Sequence, residues 1–161
     1  MRKVLFVCTG NTCRSPMAMY VLKNIVDGED IEDIEVDSAG LSANGSPISA
    51  NTLRVLSSYG IHVHETYISK KITEEMFEEA DLIIPMTRMI AEDLIERFDE
   101  DDKIVSVFDM IGKDVPDPYG KGYYEYEQVW HILQLAVPHI VNIITDPKFG
   151  AKKKKKKKKK R

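Results

Sequence analysis

Short apolar runs alternate along this chain with longer stretches whose apolar residues return every three or four positions. Val4-Leu5-Phe6-Val7 and Leu82-Ile83-Ile84 are too short for helices and read as buried strands. By the same reading strands are expected over 3–7, 34–38, 82–86 and 104–107, and helices over 16–26, 49–59, 73–80, 88–97 and 124–144. Strands that alternate with helices predict an α/β fold, a parallel sheet with helices on both faces. The last helix should turn Tyr126, Trp130, Leu133, Val137, Ile140, Val141 and Ile144 to one side, with a kink near Val137 because Pro138 cannot donate a backbone hydrogen bond. Pro85 interrupts the third strand, so either the strand ends there or its pairing is irregular. Asn44-Gly45-Ser46-Pro47 reads as a loop leading into the second helix.

The first strand runs into the first helix through Cys8-Thr9-Gly10-Asn11-Thr12-Cys13-Arg14-Ser15, followed by Pro16. A helix starting near Arg14 aims unpaired N–H groups and the positive end of its dipole at this loop, which suits a dianion. The same field should stabilise a Cys8 thiolate and draw the thiol below its free value of about 8.5. Gly10 is expected to take a dihedral closed to other residues and to bring backbone close to a ligand. Arg14 can clamp two phosphoryl oxygens with its planar fork. Ser15 is read both as helix cap and as a hydroxyl near the sulfur, and Pro16 fits a first turn. Cys8 could instead be an inert buried cysteine, or Cys8 and Cys13 half of a zinc site. Zinc fails on ligand count: there is no third cysteine, and His62, His64, His131 and His139 show no metal-binding spacing, His62 and His64 alternating as on a short strand. No metal or organic cofactor is expected.

The chain has 161 residues, 43% of them hydrophobic, enough for one core without disulfides or metals as staples. Two cysteines favour a reducing compartment. With no signal peptide read ahead of the first strand and no apolar stretch near the roughly twenty residues of a membrane span, the expected location is cytoplasmic, away from membranes. Nine lysines at 152–160 and Arg161 distort the charge; without those ten cations 13 basic residues face 26 acidic ones, and the formal charge is −13 rather than −3. A single domain is therefore expected over 1–146. Residues 147–161 are expected to be a disordered tail whose lysine run looks like an added tag, so no nucleic-acid partner is inferred from it.

The segment from Val7 to Ala18 resembles the signature of the low-molecular-weight protein tyrosine phosphatases, and with Thr12 it looks like their bacterial arginine phosphatase branch. Asp37-Ser38-Ala39-Gly40, the stretch from Ala80 to Thr87 and Asp117-Pro118-Tyr119-Gly120 are similar to further segments of that family, across residues 1 to about 146. The resemblance implies a three-layer fold with four parallel strands ordered 2-1-3-4. It also implies a two-step phosphatase acting on phosphorylated proteins and releasing inorganic phosphate. In that scheme Cys8 attacks phosphorus and forms a phosphocysteine. Thr9, Gly10, Asn11, Thr12 and Cys13 with Arg14 hold the phosphoryl oxygens, and Asn11 locks the loop. Asp117 is the general acid and then base, Ser15 stabilises the departing thiolate, and Tyr119 walls the pocket.

Other readings stay open at this level. Asp-Pro-Tyr-Gly is also an ordinary turn, and Asp114 is a rival acid. A threonine at position 12 is wettable where an aliphatic wall would pack a phenyl ring, which favours phosphoarginine, its cation paired by Asp117; phosphotyrosine is the alternative substrate. Cys13 is expected to face Cys8, and their oxidation to a disulfide would silence and shield the nucleophile. A phosphocarrier or phosphopeptide-binding protein would not need Asp117. Thioredoxin-coupled arsenate reduction would need cysteines that the chain lacks.

Overall fold

The computed structural model describes residues 1–151. The elements run β1 (Arg2–Cys8), α1 (Arg14–Gly28), β2 (Ile34–Gly40), α2 (Ala50–Ser58), α3 (Glu74–Glu79), β3 (Leu82–Pro85), α4 (Arg88–Phe98), α5 (Val107–Ile111) and α6 (Tyr123–Thr145). β1 lies at the centre of a parallel sheet ordered β2-β1-β3, and Val4 to Cys8 are all buried on both faces. That two-sided burial is why the strand is a continuous apolar run rather than an alternating one. α1 packs on β1 and β2 and meets α2 and α6, while α4 lies against β3.

The expected fourth strand does not form, and the order 2-1-3-4 is corrected to a three-stranded 2-1-3. Only an isolated bridge remains, with Ile83 N–H donating to the Lys103 carbonyl at 2.9 Å and Val105 N–H donating to the Ile83 carbonyl at 3.0 Å. Along β3, Met86 N–H donates toward β1, so the odd positions Ile83 and Pro85 face the bridge side. Pro85 has no N–H to carry the ladder a step further. At that level Ser106 opens α5 with a capping box, its hydroxyl accepting from Asp109 N–H and its own N–H donating to the Asp109 carboxylate. Local capping thus ends the strand that Ile104, Val105 and Val107 suggested. Pro85 is the last residue of β3 and pairs with Val7.

α6 is assigned as one helix through Pro138. His62 and His64 lie outside any strand, their rings 6.5 Å apart. Past Thr145 the chain continues as turns to Ala151, with Phe149 beneath the Arg2 guanidinium at 5.5 Å. The expectations for the lysine run fall outside the described residues. No helix among the described residues is long and apolar enough to cross a membrane.

The parallel register brings the carboxyl ends of the strands together, Cys8 opposite Gly40 and Val7 opposite Pro85. With β2 and β3 on opposite sides of β1, the crevice beyond these ends is where open α/β sheets place ligands.

Candidate active site

Cys8 closes β1, and the loop to α1 wraps back over its side chain. Its backbone carbonyls turn outward onto neighbouring segments: Cys8, Thr9 and Thr12 accept from the N–H groups of Leu41, Ser42 and Ser49 at 3.0, 2.9 and 2.9 Å. Asn11 turns the loop. It sits at φ 58°, in the left-handed region, while Gly10 has no positive φ, so the residue with unusual backbone is Asn11 and not the glycine. A β-carbon at Gly10 would meet only the Thr12 hydroxyl, at 3.9 Å. The position at which a side chain cannot fit is Gly40, where a β-carbon would lie 2.6 Å from the Thr9 carbonyl oxygen and 2.9 Å from Asn11 Cβ. β2 therefore presses its bare backbone against the cradle.

α1 begins two residues earlier than a Ser15 cap would set it: its cap position is Cys13, which makes no side-chain cap, and Pro16 occupies the first turn. Ser15 is freed for the sulfur. Its Oγ lies 2.9 Å from Cys8 Sγ and accepts from Asn11 Nδ2 at 2.8 Å; its own proton has the sulfur and, farther off at 3.5 Å, the Ala39 carbonyl as acceptors. Asn11 N–H donates to the same sulfur at 3.2 Å. Asn11 Nδ2 also donates to Ser38 Oγ at 3.0 Å, and Asn11 Oδ1 accepts from Tyr67 at 2.6 Å and from Lys70 N–H at 3.0 Å. Tyr67 and Ser38 complete the ring at 2.8 Å.

Asn11, Ser15 and Ser38 are fully buried and Arg14 nearly so. Buried polar groups persist only when hydrogen-bonded, and among the described residues no buried side-chain nitrogen or oxygen lacks a partner. Burial pushes the Cys8 thiol up; the Ser15 hydroxyl, the Arg14 guanidinium and the Ser15 and Asn11 amides pull against it. The net direction is upward, which corrects the expectation that the loop alone draws this thiol below its free value. Burial also raises the Tyr67 phenol, which stays a donor at neutral pH.

Arg14 Nη1 donates to the Val115 carbonyl at 3.1 Å, and its Nη2 lies 3.7 Å from Asp117 Oδ2. The segment carrying Asp117 is thus seated on the cradle through the arginine. Asp117 Oδ1 accepts from Tyr119 N–H at 3.1 Å, the local turn that the sequence suggested, so one carboxylate serves both arrangements. Asp114, the rival acid, is held by Arg88. Tyr119 is 76% exposed. Thr12 is half-buried, with its hydroxyl 3.5 Å from Cys13 Sγ. Cys13 is free and buried, and its sulfur lies 3.4 Å from the Tyr126 hydroxyl, whose pKa burial pushes up to about 12. The structure brings Cys8, Asn11, Arg14, Ser15 and Asp117 together. It adds Tyr67, Ser38, Gly40 and the Val115 carbonyl, of which only Ser38 and Gly40 lay in a segment singled out from the sequence. A half-buried tyrosine whose hydroxyl reaches the loop from 56 residues away leaves no mark in local spacing.

A cysteine, a guanidinium and loop amides gathered at the end of β1, with the Asp117 carboxylate 3.7 Å from the guanidinium, form a set that can hold a phosphoryl group for in-line attack. The sequence profile described as low molecular weight phosphotyrosine protein phosphatase matches residues 3–157. A protein-arginine-phosphatase of Bacillus subtilis (strain 168) is 35% identical over 131 residues, covering 78% of this chain and 85% of that one. The low molecular weight protein-tyrosine-phosphatase PtpB of Staphylococcus haemolyticus (strain JCSC1435) is 31% identical over 134 residues, covering 81% and 91%. The YwlE arginine phosphatase, solved as a cysteine-to-serine mutant with a phosphorylated active-site serine, superposes with a TM-score of 0.81 at 30% identity, covering 91% of this chain and 99% of its own.

Proposed function

Since the chain belongs to the low molecular weight phosphotyrosine protein phosphatase family and is a cysteine-based protein phosphatase, we propose that it removes phosphate from phosphoarginine in proteins, with Cys8 as nucleophile. Cys8 gives up its proton to solvent as the substrate binds and attacks phosphorus as the thiolate, while Arg14 and the loop amides hold the equatorial oxygens. The phosphorus–nitrogen bond breaks, a phosphocysteine forms and Asp117 gives its proton to the departing guanidine nitrogen. Asp117, now a carboxylate, takes a proton from water as the water attacks the phosphocysteine. Phosphate leaves, and the Ser15 hydroxyl receives charge on the returning sulfur. The hydroxyl that reaches Cys8 at 2.9 Å is suited to that last step.

The observation that carries phosphoarginine over phosphotyrosine is the pairing of a half-buried Thr12 in the cradle with the Asp117 carboxylate at its mouth, 55% exposed and 3.7 Å from Arg14. A hydroxyl-bearing wall is a poor seat for a phenyl ring, and an accessible carboxyl group can hydrogen-bond the guanidine nitrogen that it protonates. The identity shared with the B. subtilis arginine phosphatase supports the same choice. Phosphotyrosine remains the second reading, supported by Tyr119, exposed beside Asp117 as a stacking surface, and by the S. haemolyticus relative.

The test compares kcat/KM on phosphoarginine and phosphotyrosine peptides for this chain and for Thr12→Ile. The expected result is a preference for phosphoarginine that falls about tenfold or more once the isoleucine is present. A preference for phosphotyrosine that the substitution does not change would overturn the assignment.

A further inference from the structure

Asp117 reaches the cradle on a segment with little regular structure, between Gly112 after α5 and the start of α6, and besides its own contact with Arg14 at 3.7 Å two attachments hold that segment in place. Val115 provides one: its N–H donates to the Met86 carbonyl at 2.9 Å and its carbonyl accepts from Arg14. The other is a pair outside the cradle. Arg88, the first residue of α4, donates to Asp114 three times, from its backbone N–H to Oδ1 at 3.0 Å and from Nε and Nη2 to Oδ2 at 3.3 and 3.2 Å. Its guanidinium also lies over the Phe108 ring of α5, 3.7 Å from the centroid.

An isolated ion pair on a surface holds little. This one differs because the backbone donor, the forked side chain and the stacked ring restrain each other, so Asp114 is held by an α4 residue that is itself braced on α5. Only Val115 and Pro116 separate Asp114 from Asp117. We infer that Arg88 and Asp114 form a positioning pair that sets the height of the Asp117 carboxylate over the cradle. Neither residue touches the reacting atoms. This inference rests on the reading of Asp117 as the general acid.

A displaced acid hurts most where the leaving group most needs its proton. The experiment therefore measures kcat/KM for phenyl phosphate, whose leaving group is a weak acid, and for p-nitrophenyl phosphate, whose leaving group is a stronger one. The variants are Arg88→Ala, Asp114→Ala, their double and Asp117→Asn, each checked for an unchanged thermal transition. Arg88→Ala should lose about tenfold on phenyl phosphate and less than about threefold on p-nitrophenyl phosphate, a fraction of the general-acid effect. Asp114→Ala should lose at least as much, and the double variant no more than Asp114→Ala, because the two act through one contact. Equal losses on both substrates, or losses that multiply in the double variant, would overturn the pair. If Asp117→Asn shows the leaving-group dependence and Arg88→Ala does not, the positioning role fails while the acid stands. If Asp117→Asn shows none, the acid assignment fails and takes this inference with it.

Discussion

Cys8 and Ser15 meet sulfur to oxygen at 2.9 Å because α1 starts at Arg14, which places Ser15 inside the first turn with its hydroxyl turned back to the end of β1. Asn11 occupies the oxygen's acceptor side, so the serine proton can go to the sulfur at 2.9 Å, nearer than its other acceptor, the Ala39 carbonyl at 3.5 Å. A thiolate would be stabilised there by a bond that the buried thiol otherwise lacks.

Removing that hydroxyl should raise the Cys8 thiol further, since Ser15 is the largest of the influences that oppose burial. The rate of iodoacetamide labelling at Cys8, followed against pH, should show its midpoint at higher pH in Ser15→Ala than in the parent. An unmoved or lowered midpoint would show that the serine does not stabilise the thiolate. The same upward direction has a consequence for stability. Cys8, Tyr20, Tyr67 and Tyr126 all keep their protons longer when folded than when unfolded. Their contribution is complete below the ordinary thiol value of about 8.5 and is lost as pH rises through the folded values, about 12 for Tyr126. The thermal transition should accordingly fall with each step of pH above about 9.

Cys8→Ser should lose turnover by about 10⁴-fold or more while inorganic phosphate still binds, because the amides and Arg14 that hold the anion are untouched. Calorimetric titration of phosphate beside a turnover assay separates the two. Residual turnover near the parent's would remove Cys8 from the mechanism.

Gly40→Ala should damage the cradle from behind. The added carbon would sit 2.6 Å from the Thr9 carbonyl oxygen, against backbone that cannot swing away, at a cost of about 1–3 kcal/mol. Denaturant unfolding together with phosphate affinity measures it. Parent-like values for both would mean that β2 and the loop are not in rigid contact.

Tyr67→Phe keeps the ring and deletes the hydroxyl that bonds Asn11 Oδ1 and Ser38 Oγ. About 1–2 kcal/mol of stability should go with it, and the inhibition constant of phosphate should rise several-fold as Asn11 loses its hold on the left-handed turn. Loss of stability with an unchanged inhibition constant would confine Tyr67 to the scaffold.

Apolar runs were sufficient to identify β1 and β3, because a strand buried on two faces must be apolar throughout whatever surrounds it, while β2, with Glu35 exposed and Asp37 half-buried, was legible only from its place in the alternation of strands and helices. Spacing within the loop from Cys8 to Ser15 placed a thiol, a guanidinium and a helix start within one turn of each other, since eight consecutive residues cannot separate far. What depended on residues distant in sequence could not be read this way. The fourth strand was lost to a missing N–H at Pro85 and a capping box at Ser106, two local preferences that outcompeted an apolar run. Gly40, Tyr67 and the Arg88–Asp114 pair act on the loop only because the parallel sheet carries three chain segments to one end. Their roles come from close approach, which the order of residues along the chain does not encode. The direction of the Cys8 shift is of the same kind: the donors are local, but the burial that outweighs them is the work of the whole fold.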